Sequence, residues 1–167
     1  LPNGNVLATF QTVGQGNNQV GGLVEISPEG DFVRSSNASD PKVAEFIRPY
    51  RLAILPEIDR VVSTSADMKQ KDLSNVVQVW SLSNLSLIKT MVLEPGPRGN
   101  EHFDPAEPRV LKDGKTVLIS TFFCGLYRVK DIESRAPSIE WVYSFDFNDK
   151  YDCAIPVVNG DYWIQAV

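Results

Sequence analysis

The feature that most constrains this chain is a strand–turn–strand unit that returns four times. It stands at Leu1-Pro-Asn-Gly-Asn-Val-Leu-Ala-Thr9, at residues 55–64, at 111–121 and at 157–166. Each copy runs from an apolar strand end through a tight turn into a second apolar strand. With Thr9, Thr64, Thr121 and Ala166 taken as equivalent, the copies lie 55, 57 and 45 residues apart. A period of this size marks a repeat architecture, and it outranks local propensity in deciding the fold. Asn3-Gly4, Asp113-Gly114 and Asn159-Gly160 are dipeptides that tolerate the positive φ angles of a two-residue hairpin. The equivalent turn at residues 57–59 has no glycine, so its geometry must differ.

A second hairpin follows each of the first three copies. Residues 22–27, 76–81 and 125–130 alternate or are β-branched, as half-buried strands are, and residues 31–35, 87–93 and 139–145 return beside them. Residues 51–55, 107–111 and 154–158 supply an innermost strand to the later units. Four antiparallel strands recurring at this interval are the signature of a β-propeller, whereas a sandwich has no reason to repeat its turns in phase. The expected fold is therefore all-β, a partial β-propeller of about 3.25 blades. Its units are residues 1–36, 49–93, 106–145 and 152–167, the first lacking its innermost strand and the last holding two strands only. On this reading further blades or another chain cover the open edges. One helical turn is predicted at residues 40–46, with Asp40 as N-cap and Pro41 in the first helical position.

Composition excludes several function classes. Lys and Arg number 16 against 21 Asp and Glu, a net charge of −5, so the broad basic footprint of a nucleic-acid binder is absent. No apolar run approaches the ~20 residues that span a bilayer. The segment Gly14-Gln-Gly-Asn-Asn lacks the third glycine and the following helix of a dinucleotide loop. Nucleophile-elbow, phosphate-loop and zinc-protease sequences are likewise missing. Trp80, Trp141 and Trp163 lie within predicted strands and read as packing residues before ligand stackers.

Several segments carry a family resemblance. Residues 107–121, then Cys124-Gly-Leu-Tyr-Arg-Val129, then Asp152-Cys-Ala-Ile-Pro-Val-Val158, resemble bacterial proteins of the selenium-binding protein and methanethiol oxidase family. Residues 21–25 and 77–81 look similar to that group as well. The resemblance implies a seven-bladed propeller of which this chain is about half. It further implies oxidation of small sulfur compounds, with copper as the cofactor at histidine-rich sites. This chain has one histidine.

Blade topology sorts the connections onto two ends. Tight turns gather at one, and the long segments 12–20, 36–49, 66–74, 94–106 and 146–152 at the other, where binding residues on a rigid scaffold usually sit. At that end fall Glu101, His102, Asp104, Glu107, Cys124, Asp152 and Cys153. His102, Cys124 and Cys153 are the candidate ligand or reactive residues, since thiolate and imidazole together suit copper or zinc. Glu107, Arg109, Asp152 and Arg51 are candidates for supporting that set or lining the channel. Their spacing matches no metal motif, so buried inert thiols and a Cys124–Cys153 disulfide stay open as alternatives. Glu107 and Arg109 alternate around Pro108 and are expected to share a side, as an ion pair or, through arginine, an anion contact. Two functions follow from these residues: a ligand-binding scaffold acting as a metal-dependent oxidoreductase, or a non-catalytic propeller whose long-loop end docks a protein or glycan. Whether the chain is an enzyme stays open between them.

Overall fold

Alternating apolar runs between turn signals form strands, and in the computed structural model those strands pair with their nearest neighbours in sequence. The structure describes residues 1–12, 20–37, 49–65, 76–93, 105–121, 125–143, 155–158 and 162–165. β1 (Val6–Thr12), β2 (Val20–Ile26) and β3 (Phe32–Asn37) make the first sheet. The second holds β4 (Pro49–Leu55), β5 (Arg60–Ser65), β6 (Val76–Ser81) and β7 (Leu87–Val92). β8 (Pro105–Val110), β9 (Val117–Thr121), β10 (Gly125–Lys130) and β11 (Ser138–Tyr143) make the third. β12 (Ile155–Val158) and β13 (Tyr162–Gln165) pair as a fourth. Every pairing is antiparallel and follows chain order. The chain is thus all-β as expected, and among the described residues its one helical feature is a 3-10 turn at Pro56–Ile58. The helical turn predicted at residues 40–46 and the Asn159-Gly160 turn fall outside the described residues.

The second sheet is buried on both faces, and strand alternation sorts its residues between two neighbours. Val61, Val76 and Trp80 face the first sheet, where they meet Leu7 and Leu23. Val62, Val77 and Val79 face the third sheet and pack on Val117, Ile119, Tyr127 and Val129. Leu118 and Leu126 are buried on the far face of the third sheet, and β12 packs against β8 and β9. The near face of the first sheet has no such cover among the described residues. Val6 is 56% exposed and Phe32 69%, whereas Val61 and Val117, at the position of Val6 in the next two sheets, are fully buried.

These faces correct the repeat by one residue. Leu7, Val62 and Leu118 each face the next sheet and hold one position, 55 and 56 residues apart. The rungs Thr9↔Leu23, Thr64↔Val77 and Ser120↔Leu126 then coincide, so Ser120 rather than Thr121 is the counterpart of Thr9 and Thr64. A one-residue slip would invert every side chain of the strand, so burial decides between the adjacent Ser120 and Thr121.

The tight turns also differ from the expected two-residue hairpins. Gly4 and Gly114 have positive φ of 84° and 68°, but Asn3 and Asp113 before them do not. Instead Asp113 Oδ1 accepts the N–H groups of Lys115 and Thr116, both at 2.9 Å, and Asn3 Oδ1 accepts that of Asn5 at 3.1 Å. The carboxylate or amide folds the loop by its own hydrogen bonds, so a wider loop replaces the primed turn. In the glycine-free turn Asp59 takes the left-handed conformation, φ 56°. Gly22 serves packing rather than turning: a Cβ there would lie 1.8 Å from the carbonyl oxygen of Ser36 on β3.

Candidate functional site

His102, Cys124, Asp152 and Cys153 lie outside the described residues, as do Glu101 and Asp104. The strands beside them are described. Pro105 opposes Thr121 in the β8–β9 ladder, so the chain enters β8 and leaves β9 at one end, and β12 packs against both strands. His102 and Cys124 are each three residues from that rung, and Cys153 is two residues before β12. Ser65 and Ser120 sit near the same ends of β5 and β9, and both hydroxyls are buried without a hydrogen-bond partner among the described residues.

Arg51 on β4 and Arg109 on β8 are exposed, on strands that pack against each other. The side chain of Glu107 is outside the described residues. Its expected alignment with Arg109 rested on strict alternation through Pro108. The ladder shifts register there, with three steps from Pro105 to Pro108 opposite two from Thr121 to Ile119. Among the described residues no cluster of three His, Cys, Asp or Glu has metal-binding geometry.

The opposite, tight-turn end holds a polar network that sequence reading missed. Arg34 on β3 reaches the second sheet, where Nη2 donates to the carbonyl of Leu82 at 3.1 Å and Nη1 to that of Ser83. Arg60 on β5 does the same to the third sheet, donating to Ile132 at 2.9 Å and Glu133 at 2.7 Å. Lys89 on β7 adds a bond to the carbonyl of Pro137 at 2.6 Å. The first and second sheets therefore each grip carbonyls in the last turn of the next one. An arginine in a strand and a carbonyl 48 to 73 residues later share no sequence signature.

Carboxylates set the charges of this network. Glu25, buried, accepts Asn5 Nδ2 at 2.6 Å, Arg34 Nε at 2.6 Å and Asn3 Nδ2 at 3.3 Å. The Asn5 bond acts most strongly, and with Arg34 it outweighs burial and holds the carboxyl below the usual glutamate range. For Asp59 burial pushes upward, but bonds from the Ser81 hydroxyl and from the N–H and hydroxyl of Ser83 prevail and lower it. In the third sheet Glu140 accepts Arg128 at 2.6 Å and Lys130 at 3.1 Å, and Lys115 pairs with Glu133 at 2.8 Å. Lys115, Arg128 and Lys130 line a cleft of about 660 Å³.

The tryptophans divide. Trp80 is fully buried and donates its Nε1–H to Ser63 Oγ at 2.9 Å, as a packing residue must. Trp141 is 37% exposed on β11. No helix among the described residues is long and apolar enough to cross a membrane. No family model matches the chain, and no curated protein matches it at a significant level.

Proposed function

We propose that the chain is a section of a β-propeller, similar to the selenium-binding protein family, whose long-loop end binds a small molecule. The observation that carries the reading is the recurrence of one sheet-to-sheet junction. Sheets one to two and two to three join through equivalent buried positions 55 and 56 residues apart and through equivalent cations, Arg34 and Lys89, that each donate to a turn carbonyl of the next sheet. Repeated rotation of one unit by one junction is what generates a propeller. Such a scaffold fixes its loops, and the unpartnered hydroxyls of Ser65 and Ser120 near the long-loop end are polar capacity for a ligand or an ordered water.

Within that reading His102, Cys124 and Cys153 are the proposed ligand or reactive residues, with Asp152 and Glu107 supporting them. Copper is the metal the resemblance implies, and a thiolate–imidazole set suits its softer oxidation state. Metal analysis and thiol labelling of the intact polypeptide test this. The reading expects bound copper that is lost in His102→Ala, Cys124→Ser and Cys153→Ser variants. A metal-free protein with inert, protected thiols would overturn the metal proposal and favour the non-catalytic docking alternative.

A further inference from the structure

Two asparagines cap the buried carboxylate of the first rim, and their chemical lifetimes differ. Glu25 Oε1 accepts Asn5 Nδ2 at 2.6 Å and Asn3 Nδ2 at 3.3 Å. Asn5 is half-buried and is followed by Val6, whose branched Cβ hinders ring closure between a side-chain amide and the next backbone nitrogen. Asn3 is exposed and is followed by Gly4, exposed as well and without a side chain to obstruct that closure. The turn restrains Asn3 through the Asn5 N–H, which donates to its Oδ1 at 3.1 Å, and through the Gly4 N–H, which donates to the Leu1 carbonyl at 3.0 Å. The first of these bonds is exposed, so water competes for it.

The other sheets show what an acid at this turn requires. Opposite Leu7, Val62 and Leu118 the equivalent rungs hold Glu25, Val79 and Arg128. The turns leading into those strands carry Asn3, Asp59 and Asp113. A turn carboxylate therefore stands where the rung is valine or arginine, and an amide stands where the rung is glutamate. Replacing that amide by an acid would set like charges together in the first sheet alone.

We propose that Asn3 is a self-modification site: the Gly4 nitrogen converts its amide to aspartate and isoaspartate, and the acid so formed unlocks the junction of sheets one and two by repelling Glu25. The Gly4 nitrogen gives its proton to solvent and attacks Cγ of Asn3. A bond from that nitrogen to Cγ forms and closes a succinimide, while the Cγ–Nδ2 bond breaks and Nδ2 leaves as ammonia with a proton from water. Water then adds to one imide carbonyl and opens the ring. No electrons are transferred, and water is the co-reactant. The product has no N–H to give Glu25 and places a negative charge where Nδ2 stood, 3.3 Å from Oε1. Carboxylates so close oppose each other's ionisation, and Glu25 is buried, where solvent screens the pair poorly. In isoaspartate the main chain also gains a methylene within the turn. Glu25 orients Arg34 through its Nε, and Arg34 holds the Leu82 carbonyl, so the disturbance reaches the contact between sheets.

Ageing the intact polypeptide at mildly alkaline pH, with peptide mapping by mass spectrometry, tests the chemistry. Asn3 is expected to accumulate both acids while Asn5 and Asn84, which precede Val6 and Leu85, keep their amides. A parallel sample in denaturant gives the rate of the unrestrained chain. An Asn3 amide that converts there but persists in the folded protein overturns the proposal. Variants test the consequence without ageing. Asn3→Asp is expected to lower the denaturation midpoint more than Asn3→Ala, which removes the donor but adds no charge, and to raise hydrogen exchange several-fold in β1–β3. Adding Glu25→Gln to each is expected to remove most of the difference between them. Equal midpoints for Asn3→Asp and Asn3→Ala, or a difference that survives Glu25→Gln, would show that the acid does not act through Glu25 and would overturn the unlocking.

Discussion

The first junction closes around an indole and an ionised carboxylate; the second closes around aliphatic chains and bare carbonyls. Trp80 fills the space between sheets one and two, and at the rim Glu25 holds Arg34 in place. Between sheets two and three, valines, Ile119 and Tyr127 fill the space, and Arg60 and Lys89 grip the next turn, with Asp59 3.8 Å from Arg60. One architecture is thus held by two kinds of rim. The difference teaches where pH enters: the first rim depends on a carboxyl remaining ionised, whereas Arg60 and Lys89 donate to neutral carbonyls.

The largest effect that separates the junctions comes from Trp80→Ala. Loss of a fully buried indole is expected to cost about 3–5 kcal/mol and to detach the first sheet before the others. Denaturant unfolding with hydrogen exchange resolved by sheet measures both, and uniform exposure of all sheets would show that the junctions are not separable. Arg34→Ala is expected to cost about 1.5–3 kcal/mol, because it leaves a buried carboxylate with only its asparagine donors. Arg60→Ala belongs at the low end of the same range, since its bond to the Glu133 carbonyl is exposed and water can replace it.

Acid titration sharpens the contrast. The folded pKa of Glu25 lies below its unfolded value, chiefly through Asn5 and then Arg34, so its contribution is fully present above the ordinary glutamate range of about 4.3. It is lost as pH falls through the lowered folded value. Glu25→Gln should therefore flatten the acid limb of the stability curve, whereas Lys89→Ala, which removes a bond to the neutral carbonyl of Pro137, leaves the limb's shape unchanged. An acid limb identical in Glu25→Gln and the parent would show that Glu25 does not control it. The smallest effect expected is that of Lys115→Ala, with no resolvable shift of the denaturation midpoint, since its pair with Glu133 is solvent-exposed.

The sheets and their order were legible because hydrophobic alternation and turn residues are local signals. The exact rung was not: Ser63-Thr64 and Ser120-Thr121 look like the same pair, yet the burial of Leu118 aligns Ser120 with Thr64. The turn type was missed because Asp113-Gly114 serves two geometries, and the bonds from Asp113 to Lys115 and Thr116 choose the wider one. Of the candidate site, the arginines could be placed on strands that pack against each other, while the side chain of Glu107 lies outside the described residues. Glu25 reads from sequence as an ordinary strand glutamate. Its burial becomes intelligible only when Asn3, Asn5 and Arg34 close around it.

The meander order of the strands bears on how the chain reaches this arrangement. Every ladder joins strands adjacent in sequence, so even the longer links close their hairpins at modest entropic cost. The rim contacts join residues 48 to 73 apart, and they can close only after two whole sheets exist. Sheets therefore form first and dock afterwards. On that order of events, removing Arg34 or Arg60 speeds unfolding and leaves the folding rate nearly unchanged, which makes the rims a brake on opening rather than a guide to folding.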